Sequence, residues 1–173
     1  MIRSSSQGGL GQMTTKSDYT EQEWAGLLRT PVTVGSYIIV ADPSVMAMVA
    51  ETQGMMQAIQ AQQAPEAARE LVAAVVADIV AMASRKEKFE PPQVDKSQDP
   101  RPQIMVGLKQ DLAVLDAKAA PDEKAGFCAW LLTVANATAE AGREGGFLGV
   151  GAVRVSEQEK AALEELKQAF GLS

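Results

Sequence analysis

The chain contains no histidine, and Cys128 is its one cysteine. Without histidine, Ser-His-Asp and Cys-His catalysis, histidine-ligated zinc, histidine-bound haem and the Glu-x-x-His pairs of di-iron bundles are all excluded. One cysteine rules out an internal disulfide framework and a cysteine-rich metal site, and fits a reducing cytoplasm. Lys124 is the nearest cation to Cys128 in sequence, so nothing there activates a thiolate. The expectation is a protein that is not an enzyme, with no catalytic, cofactor-binding or metal residue assigned and no cofactor.

Positive charge is also in short supply. Lys and Arg number 16 against 22 Asp and Glu, a formal charge of −6. A surface of this sign repels polyanions, so nucleic acid and anionic membrane are excluded as partners held by bulk electrostatics, and neutral or basic partners are expected. No segment reads as a membrane span. Pro31 to Ala50 is apolar for about the length a bilayer requires, but Asp42-Pro43 interrupts it, and two buried helices fit better. The opening MIRSSSQGGLGQ carries no apolar run of signal length. It reads as a polar, flexible tail over residues 1–18, whose first twelve residues precede an alternative start at Met13.

What is present is helical punctuation, repeated along a chain of 173 residues with 46% hydrophobic content, enough for one core. Thr20 and Glu23 form a capping box for a helix ending near Thr30-Pro31, and a second short helix is expected over Val32–Ala41. From Pro43 the residues Val45, Met48, Val49, Thr52, Met55, Met56 and Ile59 recur at helical spacing as one narrow apolar stripe. Pro65-Glu66 opens a helix whose Leu71, Val72, Val75, Val76, Ile79 and Val80 cover a wide arc, as a central helix packed from two sides would. A Pro-rich loop at 86–103 follows, holding four of the eight prolines. Asp99-Pro100 starts a helix with Ile104, Leu108, Leu112 and Leu115 inward, and Pro121 starts another with Phe127, Trp130, Leu131, Val134 and Thr138 inward. Ser156 to Glu159 is a further capping box, opening a last helix with Leu163, Leu166 and Phe170 inward. The expected fold is all-α: a single-domain bundle of about seven helices over residues 19–173.

The stretch EGGFLGVGAVRVS, before that last helix, is the densest glycine run. It lacks the lysine of a phosphate-binding G-x-x-x-x-G-K-[ST] loop, and Arg154 stands where the last glycine of G-x-G-x-x-G belongs, so it reads as a hinge whose Phe147, Leu148 and Val150 tuck inward or serve as an interaction loop. GGFLGVGAVRVSEQEKAAL resembles the Gly, β-branched, Ser, acidic, helix-start pattern of tellurite-resistance TerB-like bacterial proteins and of other helical bacterial families that end similarly. The resemblance covers about 20 residues and implies an all-helical bacterial protein with a stress association. TerB-like loops often carry acidic residues, implying metal binding; residues 145–155 have none, and Ser156, Glu157 and Glu159 alone match the helix-start portion.

Two functions from different classes remain. One is a non-catalytic helical interaction or scaffold protein of the bacterial cytoplasm, with a protein partner or self-association. The other is a carrier of a small apolar ligand or lipid, its cavity lined by Met48, Met55 and Met56 from the Met-rich helix and by Val75 and Ile79 from the Val-rich one. Asp78, Asp111, Asp116 and Glu140 could meet around a cation, or lie apart on a solvated face.

Overall fold

A computed structural model describes residues 13–43, 45–87, 94–95, 97–144 and 155–172. Among them are six α-helices and no strand: α1 Glu21–Ile39, α2 Val45–Ala61, α3 Arg69–Ser84, α4 Pro100–Lys118, α5 Pro121–Glu144 and α6 Glu157–Ala169. The expected capping boxes at Thr20–Glu23 and Ser156–Glu159 start α1 and α6, and Asp99 caps α4 by accepting from the Arg101 amide at 3.0 Å. No helix of the described residues is long and apolar enough to cross a membrane.

The count is six rather than about seven because α1 runs straight through Pro31, where two short helices were expected. Proline removes the amide that would bond to the carbonyl four residues earlier, that of Leu27. Here the Thr30 hydroxyl donates to that same Leu27 carbonyl at 2.8 Å, and two residues on, Thr33 donates to the carbonyl of Arg29 at 3.0 Å. A side chain supplies the donor that the backbone lost. Pro31 itself is buried, so core packing further offsets the local cost.

Helices α1 and α5 pack on each other, and α2, α3, α4 and α6 each touch both. The central role expected for the Val-rich helix, now α3, therefore belongs to the α1–α5 pair. Phe127, Trp130, Leu131, Val134, Ala135 and Thr138 of α5 are wholly inaccessible to solvent, as are Leu27, Val34 and Ile38 of α1. The α2–α5 contact is the closest. A β-carbon on Gly54 of α2 would lie 2.4 Å from that of Ala141 and 3.0 Å from the Ala137 carbonyl oxygen, so the two backbones approach as only glycine and alanine allow. This seam rotates α2 away from its expected stripe. Glu51, Met55 and Ile59 are buried, whereas Met48, Val49 and Thr52 are exposed.

Part of the expected tail is docked. The buried Thr14 donates its amide to both carboxylate oxygens of Glu123 on α5, at 2.9 and 3.1 Å, and its hydroxyl lies 3.0 Å from the first of these. Lys16 pairs with Asp78 of α3 at 2.6 Å, and Lys118 of α4 donates to the Asp18 carbonyl and to Glu23 while lying over the Tyr19 ring. Residues 13–18 thus strap α3, α4 and α5 together, which moves the boundary of the expected tail; residues 1–12 lie outside those described.

Two stability measurements follow from these contacts. Thr30→Val should cost about 1–3 kcal/mol by leaving the buried Leu27 carbonyl without a donor, and much less in a Pro31→Ala background, where the backbone amide returns. Equal costs in both backgrounds by denaturant titration would refute the compensation. Glu123→Ala should lower stability by about 1.5–3 kcal/mol, since the Thr14 amide loses a charged acceptor, and a chain lacking residues 1–18 should no longer respond to that substitution.

Candidate functional site

A cleft of about 530 Å³ opens where α1, α4 and α6 converge. Tyr37, near the end of α1, forms its floor; its ring is 3% exposed. The Tyr37 hydroxyl donates to Oε2 of Glu165, which α6 brings to the opposite wall. Burial and that carboxylate together push the phenol well above its ordinary range, so Tyr37 stays a neutral hydrogen-bond donor. Arg101, the second residue of α4, reaches to 3.8 Å from the same Glu165 oxygen and 4.0 Å from Asp99. Both separations exceed hydrogen-bond length, leaving its guanidinium N–H groups uncommitted to either carboxylate. Lys109, two turns further along α4, lines the cleft and has no ion pair among the described residues. Pro102, Met105 and Ala169 supply an apolar wall, and Gln168 a further polar group.

The cleft thus combines one buried phenol, two cations, one carboxylate and an apolar wall. Nothing in it is an activated nucleophile. Cys128, the other group to consider, is 1% exposed and lines a separate small cavity of about 150 Å³ that shares Lys109 and Ala169 with the cleft. Burial pushes its thiol up to about 11, against a weaker opposing influence from Lys124, which is itself paired with Asp116. A thiol held protonated in this way is a weak nucleophile.

The residues singled out from sequence go to other places. Met55 is buried with its sulfur against Gly35 of α1, where a β-carbon would come within 2.1 Å of it; Met56 is half-buried and Met48 is 42% exposed. Val75 and Ile79 are buried in the main core, where α3 meets α1 and α5. The cleft that is open to a ligand is lined by none of these five residues. Phe147, Leu148 and Val150 lie outside the described residues. The four carboxylates considered around a cation are dispersed: Asp78 accepts from Lys16 and from the Trp24 indole, Asp111 from Arg29, Asp116 from Lys124, and Glu140 is exposed. Among the described residues no group of three potential ligands could hold a metal ion.

A second feature escaped the sequence because it occupies an apolar slot. Glu51 on α2 is 2% exposed, and its Oε2 has no hydrogen-bond partner. Its carboxyl fits against Gly142 of α5, where a β-carbon would sit 2.6 Å from Oε1. Burial first, then the like charges of Glu159 and Asp42, push its pKa up to about 7. Glu159 is held beside it by its own duty in the α6 cap, accepting from the Ser156 amide at 2.7 Å. No protein-family model, curated protein or solved structure matches the chain.

Glu51 makes stability depend on pH in a defined direction. The folded state holds this proton up to about pH 7 and a free glutamate releases it near 4.5, so the contribution is full in acid and is lost as pH rises between those values. Glu51→Gln should therefore match the wild type near pH 4 and exceed it by about 3 kcal/mol at pH 8. A constant difference between the two proteins across this range in urea titrations would contradict the shift.

Proposed function

We propose that this chain is a non-catalytic helical bundle of the bacterial cytoplasm that binds a small ligand in the α1–α4–α6 cleft. The observation carrying this reading is the cleft itself: its volume, about 530 Å³, lies in the range of small-molecule sites, and it combines an apolar wall with a few convergent polar groups. Of the two functions open at the level of sequence, this favours the carrier over the scaffold, with the site between α1, α4 and α6 instead of between the Met-rich and Val-rich helices. The inert Cys128 and the absence of histidine support a role in binding over chemistry. The likeness of the closing segment to TerB-like proteins supports an accessory, stress-related role. One observation favours the interaction or scaffold reading: Met48 and Val49, adjacent on α2, are 42% and 63% exposed and offer an apolar pair to another protein or a second copy.

Native mass spectrometry of freshly purified protein separates the two. A retained small-molecule mass on the monomer, lost when Met105→Trp fills the cleft, is expected. An oligomer without ligand, or a retained mass indifferent to Met105→Trp, would count against the cleft and for the scaffold.

A further inference from the structure

We infer that the cleft selects an amphipathic organic anion, its carboxylate or comparable head group held between Arg101 and Lys109 and its apolar body laid along Met105 and Ala169. This rests on the cleft being a ligand site and adds the charge and shape of the ligand. Three observations carry it. First, two cations, Arg101 and Lys109, line the cleft of a chain whose formal charge is −6, beside the lining carboxylate Glu165 and with Asp99 4.0 Å from Arg101. Second, both cations lack a close partner: Arg101 stands 3.8 and 4.0 Å from its nearest carboxylates, too far to hydrogen-bond, and Lys109 has none among the described residues. A guanidinium only 29% exposed in its side chain, yet without a committed acceptor, is a ready fork for a carboxylate. Third, the one acid in the cleft is already engaged, because Glu165 accepts from the Tyr37 hydroxyl. That bond occupies Oε2 of Glu165, the same oxygen that stands 3.8 Å from Arg101.

The body of the ligand is apolar because the wall beside these cations is Pro102, Met105 and Ala169. Methionine adapts its shape to a flexible chain. Beyond Ala169 lies the smaller cavity of about 150 Å³, bordered by Leu108, Leu112 and Phe170, which gives a longer chain somewhere to go. The negative charge of the whole protein opposes an anionic bilayer, so the ligand is a free molecule and not a membrane lipid in place.

Titration of the full chain with octanoate, octan-1-ol and octylammonium, followed by backbone amide NMR shifts, tests the assignment. Octanoate should bind, shifting amides of α4 and α6, and should bind at least about tenfold more tightly than octan-1-ol, the size of one charge-assisted hydrogen bond. Arg101→Met should abolish that preference while leaving octan-1-ol binding unchanged. Glu165→Gln, which removes the competing carboxylate, should strengthen octanoate binding, a gain that a purely structural role for Glu165 would not produce. Equal affinity for octanoate and octan-1-ol, or preference for octylammonium, would overturn the anion assignment yet leave the cleft as a ligand site. Binding of none of the three would overturn both. Co-sedimentation with phosphatidylglycerol vesicles, lost in Arg101→Met, would overturn the free-molecule assignment in favour of a lipid surface.

Discussion

The described fold is arranged around two helices packed on each other, α1 and α5, with α2, α3, α4 and α6 each in contact with both. That contact demands side chains that can vanish from solvent on most of their circumference. α5 meets the demand with Phe127, Trp130, Leu131, Val134 and Ala135, and spends one buried position on Thr138, whose hydroxyl turns back to the Val134 carbonyl at 2.8 Å. Trp130 shows the strain of the arrangement: its indole N–H is buried with no partner, while its ring packs against Phe127 at a centroid distance of 5.4 Å. Packing of two large rings outweighs one unsatisfied donor here.

The same constraint explains why α1 is long. A break at Pro31 would have cut the α1–α5 contact short, and Thr30 prevents it by returning a hydroxyl donor to the carbonyl of Leu27, the one that Pro31 deprives of an amide. Because α1 continues to Ile39, Tyr37 is carried to the point where α4 and α6 meet, and the cleft has its floor. A helix-compatible proline and a ligand-sized cleft are thus consequences of one local repair. The Arg29–Asp111 pair, with contacts of 2.7 and 3.3 Å, fixes α4 against α1 and so sets where Arg101 and Lys109 stand.

Glu51 occupies the opposite end of the energetic scale. It is a carboxyl in an apolar seam, tolerated because Gly142 leaves room for it and because a proton neutralises it up to about pH 7. Its neighbours Glu159 and Asp42 raise its affinity for that proton further. Strapping by Thr14, Lys16 and Tyr19 on the other side of the molecule follows a different logic, in which Glu123 is buried but hydrogen-bonded to the Thr14 amide and hydroxyl. The two buried glutamates differ in their partners: a backbone amide reaches Glu123, and Oε2 of Glu51 has no hydrogen-bond partner.

By itself the sequence determined the helical class, the capping at Thr20, Asp99 and Ser156, and the inward rows of α4 and α5, because spacing and caps are local and act within a few residues. It also determined that histidine side chains and an internal disulfide have no place in these 173 residues. Tertiary structure alone decided the rest. Whether Pro31 breaks a helix depends on which side chain can reach the Leu27 carbonyl. The buried face of α2 depends on how closely Gly54 lets α5 approach, and this is why the Met-rich stripe misled: periodicity gives a face but not its partner. Tyr37, Arg101, Lys109 and Glu165 lie on three helices, with Tyr37 64 positions before Arg101 and Lys109 56 before Glu165, and no spacing rule joins them. Their convergence comes from the packing of α4 and α6 against α1, a long-range constraint that a single chain of letters does not display.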